Sequence, residues 1–162
     1  MKKLLFCLIF LALLTGCARE ETMETVGDVW DVPAMAVPRQ ILVDLPEDAA
    51  AGVLESDTGR IYIADDYEIM LETLESGDLD GTLRQLCGKG KDELTVMETQ
   101  QDGLKRYEFV WVSAGERGEQ LGRSVILDDG NYHYCLSVLR PEEAEETSQV
   151  VWSQVFQSFA LS

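Results

Sequence analysis

Positive charge is scarce in this chain. Thirteen Lys and Arg stand against 30 Asp and Glu, for a formal net charge of −17 over 162 residues. A body this acidic repels phosphate backbones, so nucleic acid is not an expected partner. Histidine is scarcer still. His133 is the only one, so any histidine-bearing metal site or Ser-His-Asp triad has to be built on it. There is no Gly-x-Ser-x-Gly elbow, and Gly88-Lys89-Gly90-Lys91 is too short and wrongly flanked for a phosphate loop. Beyond the first residues no apolar run approaches the ~20 residues that span a bilayer. Internal repeats and low-complexity runs are missing too. What remains, 46% hydrophobic and 27% charged, is an ordinary balance for one globular domain.

The N-terminus has its own chemistry. Lys2 and Lys3 form a short basic region, and Leu4 to Leu14 is an apolar run broken by nothing more polar than Cys7. That length suits the core of an export signal. The run ends in Leu14-Thr15-Gly16-Cys17. This resembles the lipobox of bacterial lipoproteins, in which an aliphatic residue, a small residue and Gly or Ala precede Cys. The resemblance covers residues 1–17. It implies a diacylglyceryl group on the Cys17 thiol, cleavage between Gly16 and Cys17, and acylation of the new amine. The alternative is an uncleaved anchor, or a plain secretory signal with an incidental cysteine. A buried methylene contributes about 0.8 kcal/mol and one acyl chain binds only marginally, so two or three chains on Cys17 suffice to hold the protein at a membrane. The expected location is the extracytoplasmic face of the cell membrane. The membrane, through Cys17, is the first expected partner and an envelope protein the second.

The organisation follows: a signal peptide over 1–16, the lipidated Cys17 and a flexible acidic stem over 17–38, and a single α+β domain over 39–162. The stem carries Glu20, Glu21, Glu24, Asp28, Asp31, Pro33 and Pro38 without a sustained period. As a flexible coil it reaches roughly 25 Å. Its patch Val29-Trp30-Asp31-Val32 is apolar enough to dock on the domain or on a partner. With Cys7 removed and Cys17 lipidated, Cys87 and Cys135 remain in an oxidising setting. They either bridge, which would contribute about 4 kcal/mol in the chain-entropy model, or stay two separate buried thiols.

Within the domain, Ile41 to Leu45 reads as a strand ended by Pro46, and Gly59 to Ala64 as a second. Asp65-Asp66 makes a turn. Tyr67 to Leu74 fits a strand through Tyr67, Ile69, Leu71 and Thr73 or a helix through Tyr67, Met70, Leu71 and Leu74, and the strand, pairing back on the previous one, is preferred. Asp78 to Cys87 is a helix, capped by Asp78, with Leu79, Leu83 and Leu86 on one face and Gly88 and Gly90 as its stop. Two hairpins carry Asp-Gly turn signals. Asp102-Gly103 pairs Leu94, Val96 and Glu98 with Trp111, Phe109 and Tyr107; Asp129-Gly130 pairs Val125 and Leu127 with Tyr134 and Tyr132. A last helix begins at Pro141, places Glu142, Glu143, Glu145 and Glu146 at its positive end, and carries the stripe Val151, Trp152, Val155, Phe156 and Phe159. The expected fold is an antiparallel sheet of about six to seven strands, one internal helix, and a C-terminal helix packed on the rows from both hairpins. This order is similar to the PsbP-like α/β sandwich, and to small bacterial lipoproteins built that way, over about residues 40–162. The resemblance implies an accessory or binding protein.

Catalytic chemistry is thin. A metal site from His133, Cys135 and Cys87 has no spacing motif behind it, and no metal or other cofactor is expected. Ser76-Gly77-Asp78-Leu79-Asp80-Gly81 looks like the start of a calcium loop, but Cys87 occupies the position where a bidentate Glu belongs, so Asp78 and Asp80 are read as helix-start residues. The leading expectation is a non-enzymatic binding or accessory domain tethered outside the cytoplasm. A structural role on another envelope protein is the second reading, and a small hydrolase or metal-dependent enzyme using His133 the third.

Overall fold

In the computed structural model, a seven-stranded antiparallel sheet carries one helix on each face. The structure describes residues 36–51, 53–115, 118–141 and 147–162. Cys17, the Val29–Val32 patch and Glu142, Glu143, Glu145 and Glu146 lie outside the described residues. The strands are β1 (Ile41–Leu42), β2 (Val53–Glu55), β3 (Gly59–Ile63), β4 (Glu68–Glu75), β5 (Met97–Gln101), β6 (Leu104–Gly115), β7 (Gly118–Asp128), β8 (Tyr132–Pro141) and β9 (Ala160–Leu161). The helices are α1 (Leu79–Cys87) and α2 (Thr147–Ser158), and a 3-10 turn covers Glu47–Ala51. The large sheet has the order β2-β3-β4-β8-β7-β6-β5, and β1 pairs β9 in a two-stranded sheet of its own. Sheet thus dominates this α+β fold. No helix among the described residues is long and apolar enough to cross a membrane.

Local signals set several elements directly. Asp78 caps α1, its carboxylate accepting from Gly81 N at 2.6 Å, and Gly88 N donates back to Arg84 O at 2.9 Å. Asp80 turns to Arg84 Nε at 2.8 Å and Lys91 N at 2.7 Å. The Lys91 amide, then Arg84, holds its carboxyl below the usual range. Tyr67 stays outside β4, which pairs back on β3 with Ile61 opposite Met70. At the first hairpin Asp102 and Gly103 both have positive φ, 51° and 82°. That is the backbone a two-residue turn needs to follow the strands' twist. Glu98 therefore faces Tyr107 in the expected register. The ladder is shorter than expected, because β5 begins at Met97; Leu94 and Val96 pack on the core from outside it.

Four expectations are corrected. The first strand stops at Leu42 rather than Leu45, and Pro46 leads into the 3-10 turn, Ala49 N donating to Pro46 O at 3.1 Å. Pro141 does not open α2. It is the last residue of β8, opposite Gln120, where the ladder ends and its missing N–H costs little. The second hairpin is two residues out of the expected register: Leu127 faces Tyr134 and Val125 faces Leu136. Carboxylates cause this slip. Asp128 accepts from Gly130 N, and Asp129 from Asn131 N and Tyr132 N, at 2.7, 2.9 and 2.8 Å, so the loop widens around them. A slip of two keeps every side chain on its face.

The fourth correction concerns the faces themselves. The rows from the two hairpins do not face the same helix. In the β6–β7 ladder Phe109 lies opposite Ser124 and Tyr107 opposite Ile126. Tyr107, Phe109 and Trp111 therefore join Ile126, Cys135 and Leu139 against Leu83 and Leu86 of α1. On the other face Ile69, Leu71, Val125, Leu127, Tyr134, Leu136 and Val138 meet Trp152, Val155, Phe156 and Phe159. Each face thus has its own core. The chain end is fixed by Gln101 Nε2 donating to Phe159 O at 2.9 Å and Arg39 Nε donating to Ser162 O at 2.8 Å.

Candidate functional site

The residues the sequence singles out lie under α1. Cys87 and Cys135, the pair available for a disulfide, are both free thiols. Cys87 Sγ turns back to Leu83 O at 3.2 Å, and Cys135 points from β8 into the α1 core. Burial raises the pKa of both, helped at Cys135 by the charge of Glu72 and partly offset at Cys87 by Lys89. Both thiols are therefore protonated and weak nucleophiles at neutral pH. No group of three His, Cys, Asp or Glu side chains among the described residues is arranged to hold a metal ion.

His133 is 2% exposed, on β8 between β4 and β7. Nδ1 lies 2.6 Å from the Thr82 hydroxyl of α1, and Nε2 lies 3.4 Å from Ser76 Oγ and 3.8 Å from Asp128 Oδ2. A nucleophilic triad puts serine and carboxylate on opposite ring nitrogens. Here Ser76 and Asp128 both sit on Nε2; the hydroxyl opposite Asp128 is that of Thr82, which is buried between α1 and the sheet and closed to a substrate. The Asp128 carboxylate favours a proton on Nε2, leaving Nδ1 to accept from Thr82. This is the geometry of a neutral ring that ties a helix to a sheet.

Burial lowers the pKa of His133 from 6.5, and the charges of Asp128 and Asp129 offset only part of that. The folded state thus binds fewer protons than the unfolded one below pH 6.5, so the stability His133 contributes is intact above that pH and is lost as pH falls through it. His133→Gln is expected to flatten the slope of unfolding free energy between pH 7 and 5, read by urea denaturation; an unchanged slope would sink this assignment.

The second candidate lies on the opposite face, between the sheet and α2. A cavity of about 250 Å³ is lined by Val110, Leu121, Arg123, Val138, Arg140, Trp152, Ser153 and Phe156. It adjoins a more polar one of about 310 Å³ that shares Arg123, Ser153 and Phe156 and adds Gln101, Arg106 and Gln157. The ladder assembles the wall: Val110 faces Arg123, and Arg123 faces Val138. The Arg123 guanidinium lies 4.4 Å from the Phe156 ring centre, a cation–π contact that holds it against α2. It shares Glu108 with Arg106, whose Nη2 is 3.4 Å from that carboxylate. Val110 stays 58% exposed at the mouth. The Trp152 indole N–H is closed to solvent and has no hydrogen-bond partner, the one such buried side-chain atom among the described residues.

Sequence reasoning passed over this groove. Its signal was there: Arg106, Arg123 and Arg140 lie on three consecutive strands of a chain poor in positive charge. Only strand pairing shows that Arg123 and Arg140 share a cavity.

No protein-family model matches the chain, and no curated protein matches it. Among solved structures, the crystal structure of LpqN, involved in cell envelope biogenesis of Mycobacterium tuberculosis, aligns at a TM-score of 0.48 with 11% sequence identity, over 78% of this chain and 87% of that one.

Proposed function

We propose that this protein is a lipoprotein anchored through Cys17 on the extracytoplasmic face of the membrane, and that its domain is a non-catalytic binding module. The groove under α2 carries this reading. It is a concave, mostly apolar site with a small number of polar groups, the usual make-up of a ligand pocket. The sole histidine, by contrast, is spent on tying α1 to the sheet. The PsbP-like order of elements resembles that of other accessory domains and is in keeping with this role.

Placement supports it too. Tyr132 OH donates to Ala36 O at 2.6 Å and Arg39 N donates to Tyr134 OH at 2.9 Å, so residues 36–40 lie against the start of β8. Arg140, in the groove wall, lies at the other end of that strand, ~26 Å away at about 3.3 Å per residue. Residues 36–40 thus lie at one end of β8 and the groove wall at the other.

The anchor is tested by cell fractionation. Cys17→Ser is expected to move the protein from the membrane pellet to the soluble fraction, or to block processing. Mass spectrometry showing mature protein with an unmodified Cys17 would remove the anchor.

A further inference from the structure

Resting on that reading of the groove, we infer that its ligand is a medium-chain alkyl carboxylate. The first ground is charge. Two guanidiniums, Arg106 and Arg123, meet the single carboxylate of Glu108. Among the described residues this trio leaves one positive charge over at the junction of the two cavities, in a chain whose net charge is −17. A ligand anion settles there with a charge-assisted hydrogen bond, which is about twice as strong as a neutral one.

The second ground is the unpaired donor. The Trp152 N–H is shut away from water without an acceptor, and a buried group left so forfeits about 1–3 kcal/mol. Trp152 belongs to the wall of the cavity that also holds Arg123. A carboxylate has two acceptor oxygens, enough for a guanidinium and an indole N–H together.

The third ground is shape. Val110, Leu121 and Val138 give the cavity apolar walls that no small inorganic anion uses. At about 30 Å³ for each water-sized group, the volume of about 250 Å³ holds roughly eight such groups. That is a short alkyl chain with its head at Arg123. The adjoining polar cavity, with Gln101 and Gln157 on its wall, keeps the head partly hydrated.

Calorimetric titration tests this with the intact chain in phosphatidylcholine nanodiscs, empty nanodiscs serving as the blank. The probes are octanoate, octanol and acetate. Saturable binding of octanoate is expected, with octanol and acetate each at least about tenfold weaker. Arg123→Gln leaves Glu108 paired to Arg106 and is expected to weaken octanoate about tenfold or more. Trp152→Phe keeps the wall apolar, removes the donor and is expected to weaken it several-fold. Acetate binding as tightly as octanoate would reduce the site to charge alone, and octanol doing so would reduce it to apolar contact; either result overturns the proposal. So does octanoate binding unchanged in both variants, or no saturable binding at all. None of these outcomes moves Cys17→Ser fractionation, so the anchor stands or falls separately.

Discussion

Trp152→Ala should cost on the order of 3–5 kcal/mol. The indole is 7% exposed and sits edge-on to Tyr67, with ring centres 4.7 Å apart. It shares the α2-face core with Ile69, Leu71, Leu136 and Val138, so truncation opens a large hole between helix and sheet. One effect runs the other way. The lost side chain includes an unsatisfied N–H, whose removal relieves about 1–3 kcal/mol. The net cost therefore falls toward the lower end of the range, and Trp152→Phe should cost far less than Trp152→Ala. A domain with total stability of about 5–15 kcal/mol has little margin for the alanine variant. Urea unfolding of both variants measures this. A loss under about 1 kcal/mol for Trp152→Ala would mean that the helix stripe does not hold the sheet face.

Gly122→Ala tests the opposite core. Gly122 is a buried residue of β7 directly across from Trp111. A methyl group added there would lie 2.6 Å from Trp111 Cδ2, well inside van der Waals contact. The indole cannot swing away cheaply, because its N–H donates to Ser124 Oγ at 3.0 Å and that hydroxyl is 2.8 Å from Ser137 Oγ. Overpacking of this kind costs about 1–3 kcal/mol, and breaking the Trp111–Ser124 bond adds to it. The expected result is a lowered urea midpoint with an unchanged slope and a shifted near-ultraviolet signal from Trp111. An unchanged midpoint would show that the sheet flexes enough at Gly122 to admit a side chain. Gly81, on the exposed start of α1, serves as the control: an added methyl there comes no closer than 3.4 Å to Asp78.

Both variants probe contacts of different legibility. Helix α1 could be read in full, because its cap, its stripe and its stop lie within a dozen consecutive residues and act locally. The first hairpin's register was equally local, set by the positive φ that Asp102 and Gly103 accept. The second hairpin carried the same dipeptide signal, yet Asp128 and Asp129 captured the loop amides and moved the pairing by two residues. Short elements such as β1, β2 and β9 carry too few residues to show a period at all.

By itself the sequence determined the Leu-Thr-Gly-Cys motif, the dominance of antiparallel strands, the internal helix with both its ends, and the amphipathic stripe of the last helix. Each of these is written in residues that are neighbours along the chain. Tertiary structure alone decided which face each strand row covers, because that depends on the phase between β6 and β7, and a phase change of one residue exchanges the two faces. It alone buried His133 against Thr82, across the gap between helix and sheet. It alone made a groove of Arg123, Arg140 and Trp152, since side chains from β7, β8 and α2 converge only once the ladder has closed and the helix has packed across it.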